Sequence, residues 1–408
     1  MGAFTVKFSQ LFLQGVALAL AALPAYAQQP VPVTFGVLTD LSGFVADATG
    51  RGSVVAAQLA GETFAAENPG AQIRVLSADH QNKPDIGAAT ARSWIDRDGV
   101  NAILDVPFSS VALAVSEVTR NSAAAFLASG PGAVALTGDK CSPNTVHWTY
   151  DTWALANGTA RALTKAGGDT WFFVTADYAF GLSLEQDATK VITSLGGRVL
   201  GDAKHSPSGS DFSSYLIAAQ ASRAKVVGLA NAVTDTTNSI KQAAEFGLTA
   251  NDNQRLAALL LQVTDVHALG LATAKGLYLT DAFYWDASPA TRAFADRFAA
   301  RMGGARPTSF QAGVYSSALA YLHAAKAVGS ADARKVLPEM KRAPIEDALF
   351  GTVQVRADGR ATHAMYLFQV KAPAESKGPW DYYKLLDTIP ADQAFRPLAE
   401  GGCKMAAP

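Results

Sequence analysis

The stretch Val33-Thr34-Phe35-Gly36-Val37-Leu38-Thr39-Asp40-Leu41-Ser42-Gly43 decides how the rest of the chain is read. Its first six residues are a largely apolar run rich in β-formers, and Thr39-Asp40 ends it. A run without alternation fits a strand buried on both faces, as in a parallel sheet. Gly43 and Gly50 punctuate the loop that follows. Apolar residues then recur at helical spacing from 52 to 67, through Val55, Leu59 and Phe64, until Asn68-Pro69-Gly70 stops them. Strand, glycine-marked loop and helix form the first half of a βαβ unit.

The alternation continues downstream. Strands are expected at 73–78, 102–106 and 125–128, with helices at 84–97 and 111–120. The last of these strands runs into Ser129-Gly130-Pro131-Gly132. A second set follows: helix 154–166, strand 171–175, helix 182–194, strand 198–201, helix 211–222 behind Ser210, strand 226–230, helix 236–246, and strands 256–261 and 277–280. Two successive α/β units imply two Rossmann-like lobes with parallel-dominated sheets. The order changes after residue 289. Helices at 289–302 and 310–328 precede strands 353–355 and 365–370, which a turn containing Asp358-Gly359 is expected to join. Stretches 148–153, 283–286 and 344–351 separate the blocks and read as a three-segment hinge. The expected division is lobe one at 28–148 plus 285–342, lobe two at 149–284 plus 343–390, and a tail at 391–408.

The amino terminus reads as a secretory signal. Lys7 precedes an apolar run from Leu11 to Leu23, then Pro24 and the small-x-small triplet Ala25-Tyr26-Ala27. The run is shorter than the roughly 20 residues needed to span a bilayer. Cleavage after Ala27 would place the mature chain in the periplasm. In that oxidising space Cys141 and Cys403, distant in sequence, are expected to pair.

The chain has 408 residues, 49% of them hydrophobic and 17% charged, with 34 basic and 35 acidic residues. Loss of Lys7 with the signal leaves 33 basic residues against 35 acidic. This balance offers no field for nucleic acid or an anionic membrane. No Gly-x-x-x-x-Gly-Lys loop, strand-borne Gly-x-Gly-x-x-Gly or Gly-x-Ser-x-Gly occurs. The six histidines, at 80, 147, 205, 267, 323 and 363, stand singly, without partners at metal-ligand spacing. No cofactor and no catalytic set is expected.

Loops at the carboxyl ends of strands line the crevice of open α/β sheets. Here they carry Ser42 and Phe44, then Phe108, Ser109 and Ser110, then Ser129 and Gly130. The second unit contributes Tyr178, Phe180, Asn231 and Gln262, and the crossings supply Tyr150 and Phe283. Hydroxyls and amide groups at a helix start can hold a carboxylate, although Ser109 or Ser110 could equally cap its helix. Hydroxyls, amides and rings with few fixed charges suit reversible capture of a small, partly apolar solute.

In order along the chain, several fragments resemble the type I periplasmic solute-binding proteins, especially the leucine/isoleucine/valine-binding family. They are the opening strand with Ser42-Gly43, Phe108-Ser109-Ser110, Asp177-Tyr178-Ala179-Phe180-Gly181, Asp211-Phe212-Ser213 and Ala244-Glu245-Phe246-Gly247-Leu248. The resemblance implies a monomeric solute-binding component of an ABC importer, closing on its ligand and delivering it to an inner-membrane permease. It implies that a serine of the Phe108-Ser109-Ser110 loop receives the ligand carboxylate. Amino-acid binders of the family carry an acid for the ammonium where this chain has Gln262-Val263-Thr264. Small residues near Ala48 replace the family's aromatic, while Phe283-Tyr284-Trp285 and Tyr150/Trp153 resemble the subgroup linked to aromatic acids. An apolar or aromatic carboxylate is therefore expected. Alternatives are a branched-chain amino acid, a sensor's ligand-binding protein, or a periplasmic enzyme.

Overall fold

The computed structural model describes residues 1–5, 31–248 and 254–406. Most of the expected signal segment lies outside the described residues. No helix among the described residues is long and apolar enough to cross a membrane.

The first lobe opens with β1 (Val33–Thr39), α1 (Gly50–Glu67), β2 (Ile73–Asp79), α2 (Pro84–Ser93), β3 (Ala102–Asp105), α3 (Ser109–Thr119), β4 (Ala125–Ala128) and β5 (Thr145–His147). Its five strands are parallel in the order β2-β1-β3-β4-β5. The helix expected over 84–97 is α2 followed by a wider π turn, Trp94–Asp98, closed by left-handed Gly99.

The second lobe carries α4 (Thr152–Leu155), α5 (Arg161–Lys165), β6 (Thr170–Ala176), α6 (Ala179–Ser194), β7 (Arg198–His205), α7 (Ser213–Ser222), β8 (Val226–Ala230), α8 (Thr234–Glu245), β9 (Arg255–Ala258), α9 (Val263–Leu269), α10 (Leu271–Ala274) and β10 (Tyr278–Asp281). Its parallel sheet has the order β7-β6-β8-β9. The helix expected from Asp211 begins at Ser213 instead, because Asp211 turns its carboxylate onto the Ser213 amide. In both sheets the first strand lies between the next two, so connections leave it to either side. That switch point opens a crevice at the strands' carboxyl ends.

The chain returns through α11 (Pro289–Ala299), α12 (Ser309–Val328) and α13 (Ala333–Arg342). α12 packs on α1, β3 and β4 of the first lobe. Its Thr308–Gln311 capping box defines a firm start. Next come β11 (Ile345–Asp347), β12 (Gly351–Val355), β13 (Ala361–Thr362), β14 (Met365–Val370) and β15 (Tyr383–Ile389). The Asp358-Gly359 turn joins β12 to β13, not to 365–370 as the sequence suggests. β14 instead pairs antiparallel with β10 and β15 beside the second lobe. Although 343–390 reads as one second-lobe segment, β11 contacts α12, β12 contacts α13, and Arg360 bridges to His147.

Where the chain crosses, several buried polar groups find partners, although Arg360 Nη2 and the Thr149 hydroxyl have none among the described residues. Arg360 is fully buried; it donates to the Tyr150 carbonyl at 2.7 Å and the Ala361 carbonyl at 2.9 Å, 3.6 Å from Asp151. The ring nitrogens of His363 face the carbonyls of Trp148 and Ala364. The tail closes over this crossing. Phe395 lies under the Arg360 guanidinium at 4.6 Å and edge-on to His363. Beyond it, Cys403 is disulfide-bonded to Cys141 of the first lobe.

Candidate functional site

The crevice of the first lobe is built on a strained turn. Asp105 and Val106, where β3 ends, have φ of +74° and +55°. A β-branched residue rarely adopts such a backbone, and strain of this kind costs about 1–3 kcal/mol, so it persists only where its surroundings hold it. The turn delivers Phe108 and Ser109 to the start of α3. Ser109 neither caps that helix nor points to solvent. Its buried Oγ accepts the amides of Gly132 and Ala133, both at 3.3 Å, leaving its own proton to donate. Ser110 is half-buried on the same first turn. The Ser129-Gly130 loop lies alongside, and Ser129 Oγ donates to the buried carboxylate of Asp105 at 3.4 Å.

Aromatic rings bridge the lobes. Phe108 of the first lobe stacks on Tyr178 of the second, with centroids 4.4 Å apart and planes 2° from parallel. Phe44 meets Phe108 edge-on at 6.1 Å, and Tyr178 lies 6.1 Å from Phe180. Tyr150, from the first crossing, stacks on Phe310 at 5.2 Å and donates to the Gly130 carbonyl at 2.8 Å. Gly132 makes this convergence possible. A Cβ there would lie 2.8 Å from the Phe180 ring and 2.9 Å from that of Tyr150.

A polar contact also joins the lobes. Gln262, after β9, accepts the backbone amide and hydroxyl of Ser309 through Oε1, each at 3.2 Å. Its backbone N–H donates to the Asp265 carboxylate at 2.7 Å, which closes a capping box. Asp281, where β10 ends, lies against Ser309 and Gln262 and takes the Ala282 amide. Burial pushes Asp281 and Asp265 up to about 7, although hydrogen bonds pull each back.

This has a consequence for stability. A carboxyl raised in the fold binds its proton more tightly there than in the unfolded chain, so its contribution declines as pH rises through the folded value. Buried His80 and His363, pushed down to about 4, act in the opposite sense below their unfolded value. Asp281→Asn isolates the carboxyl from the histidines. Unfolding stability of the variant should fall less between pH 6 and 8 than that of wild type, measured by urea titration. Parallel profiles would show that Asp281 ionises normally.

A family model described as "Periplasmic binding protein" matches residues 32–379. The chain belongs to the periplasmic binding protein family. Among solved structures it is similar to a periplasmic binding protein from Burkholderia mallei, with 47% identity, 92% of this chain and 99% of that one covered, and a TM-score of 0.88. It is also similar to a branched-chain amino acid ABC transporter ligand-binding protein from Burkholderia xenovorans (38% identity, 92% and 100% covered, TM-score 0.82). A solute-binding protein of an R. palustris ABC transporter, solved with benzoate, shares the fold at 20% identity (92% and 100% covered, TM-score 0.79). No curated protein matches the chain.

Within this periplasmic binding protein the loops bring together Phe44, Phe108, Ser109, Ser129, Gly130, Tyr150, Tyr178, Phe180 and Gln262. Three other residues named from the sequence lie apart. Ser42 is exposed on the rim, and its hydroxyl donates to Asp79 at 2.6 Å. Asn231 is buried within the second lobe, where Thr236, Ser239 and His205 occupy its amide. Phe283 packs between Phe294 and Phe350, as an apolar anchor for the second crossing. Its neighbours are structural too: Tyr284 and Trp285 both donate to the Trp380 carbonyl. Ala48 is fully buried, with its carbonyl bonded to Thr308, so it opens no space by itself. Asp105, Asp281, Ser309 and Phe310 escaped the sequence reading. A carboxylate at a strand's end, before Pro107, was the one visible cue, and only for Asp105. Among the described residues no His/Cys/Asp/Glu group could hold a metal ion.

Proposed function

We propose that this protein captures a small apolar or aromatic carboxylate by hinge closure and delivers it to an inner-membrane permease of an ABC importer. Lobe one is taken as 28–148 plus 285–342, extended by the 345–362 hairpin, and lobe two as 149–284 plus 363–390. The observation that carries the reading is the parallel Phe108–Tyr178 stack across the lobes, beside the free proton of Ser109. Two flat faces that meet on closure can part to admit a flat or apolar solute between them, and aromatic stacking adds about 0.5–1.5 kcal/mol per pair beyond area burial. A carboxylate would take the Ser109 hydroxyl. Closure is favoured because only the closed state supplies contacts from both lobes.

A second reading, an amino-acid ligand, draws support from the buried carboxyls Asp281 and Asp265 near Gln262, which could face an ammonium group. A thermal-shift series separates the two. Aromatic acids such as benzoate should raise the melting temperature by mass action, and leucine should not. Stabilisation by leucine alone would replace the first reading with the second. Ser109→Ala should weaken binding of a stabilising acid by about 1–3 kcal/mol in calorimetry, the scale of a hydrogen bond to a charged group. Unchanged affinity would remove Ser109 from the site.

A further inference from the structure

We infer that Asp105 is the positioning residue of the first-lobe site: its carboxylate sets the two loops, 106–110 and 129–133, in the geometry that receives the ligand. The inference rests on the solute-binding reading above and goes beyond it by naming the group that organises the cleft. Asp105 is fully buried, and among the described residues it pairs with no cation. Its two oxygens are divided between the loops' supports. Oδ2 accepts the Thr39 hydroxyl from β1 at 2.8 Å, and Oδ1 accepts Ser129 from the end of β4. The Ser53 hydroxyl of α1 lies near the same carboxylate without a hydrogen bond to it. One side chain at the end of β3 thus ties β1 to the loop after β4 at the crevice.

Two further observations point to positioning rather than ordinary core packing. The residue sits at φ +74° and is followed by left-handed Val106, so the backbone itself is bent to aim Phe108 and Ser109. Gly130 also approaches so closely that a Cβ would lie 2.5 Å from Asp105 Oδ1 and 2.8 Å from the Pro107 Cα. The Gly130 carbonyl in turn holds the Tyr150 hydroxyl. The chain of contact from Asp105 therefore reaches Ser109 along the backbone and Tyr150 through the glycine loop. A hydrophobic residue of similar size would fill the space but leave Thr39 and Ser129 without an acceptor.

The charged or titratable groups facing Asp105 are Asp40, beyond the end of β1, and the Tyr150 hydroxyl. Among the described residues no cation compensates its charge, and burial pushes its carboxyl up to about 6. Because the carboxyl is raised in the packed state, its protonated form favours the packed loops, and acidification should hold them more firmly.

The test compares wild type with Asp105→Asn and, should that variant fold poorly, Thr39→Val. Hydrogen–deuterium exchange without ligand is read on 106–111 and 129–133, with β6 as an internal reference. Exchange in both loops should rise about tenfold relative to β6, the equivalent of 1.4 kcal/mol. Unchanged loop exchange in a folded variant overturns the inference. Benzoate titrations from pH 5.5 to 7.5 supply the functional arm. Wild-type affinity should rise toward pH 5.5 as the Asp105 charge is neutralised, while Asp105→Asn should bind about tenfold more weakly at pH 7.5 with a flat profile. Equal affinity and equal pH dependence in the two proteins would also overturn it. Should benzoate not bind wild type at all, the aromatic-acid reading fails, and the exchange measurement still decides the role of Asp105.

Discussion

Replacement of Arg360 by alanine is expected to cost about 3–5 kcal/mol of unfolding free energy, the range for breaking a buried ion pair from one side. The guanidinium is fully buried, and its donors hold the carbonyls of Tyr150 and Ala361. Its removal leaves Asp151 buried at the crossing with the Ala154 amide as its one hydrogen-bond partner among the described residues. It also takes the cation from the Phe395 ring, so the tail loses one of its contacts with the crossing. Arg360→Met with Asp151→Asn should recover much of the loss, because a pair replaced on both sides leaves no stranded charge. Urea unfolding of the single and double variants checks this. A single variant within about 1 kcal/mol of wild type would mean that water reaches the crossing and solvates Asp151.

Cys403→Ser is expected to cost about 2–5 kcal/mol. The bridge to Cys141 closes a loop of 262 residues, and a long loop restricts the unfolded chain most. The folded chain would retain the tail's other attachments: Asn157 donating to the Gln393 carbonyl at 2.6 Å and Arg356 donating to that of Arg396 at 2.8 Å. The loss should therefore appear in global stability while the crossing keeps its geometry. Wild type in reductant should match the serine variant. A reduced protein as stable as the oxidised one would show that the bridge does not raise the free energy of the unfolded chain.

The parallel lobes were legible because their inner strands are largely apolar and buried, and because glycines mark the helix ends that Leu163, Ile192 and Phe246 approach. The edge strand β15 was not. Its Lys384, Leu385, Leu386, Asp387 and Thr388 are all exposed, so neither alternation nor a buried run marks it. The Asp358-Gly359 turn was seen, but its partner was misjudged. Two residues, Ala361-Thr362, suffice to pair with β12 and are too short to signal a strand. In the site, residues near strand ends could be named because topology places those loops at the crevice. Their partners could not. Ser109 is engaged by amides 23 and 24 residues away, and Gln262 by a helix start 47 residues on. Phe283 shows the converse: an aromatic run beside a crossing looks like a ligand wall until its packing partners are known. The hinge polar groups were invisible for the same reason, since Arg360 meets Tyr150 across 210 residues.

Small-angle scattering of the wild-type protein, with and without saturating benzoate, tests capture by closure most directly. The ligand should shift the population toward the compact state in which Phe108 and Tyr178 face each other across the cleft, lowering the radius of gyration. Identical scattering curves at concentrations that saturate any binding would contradict closure on an aromatic carboxylate.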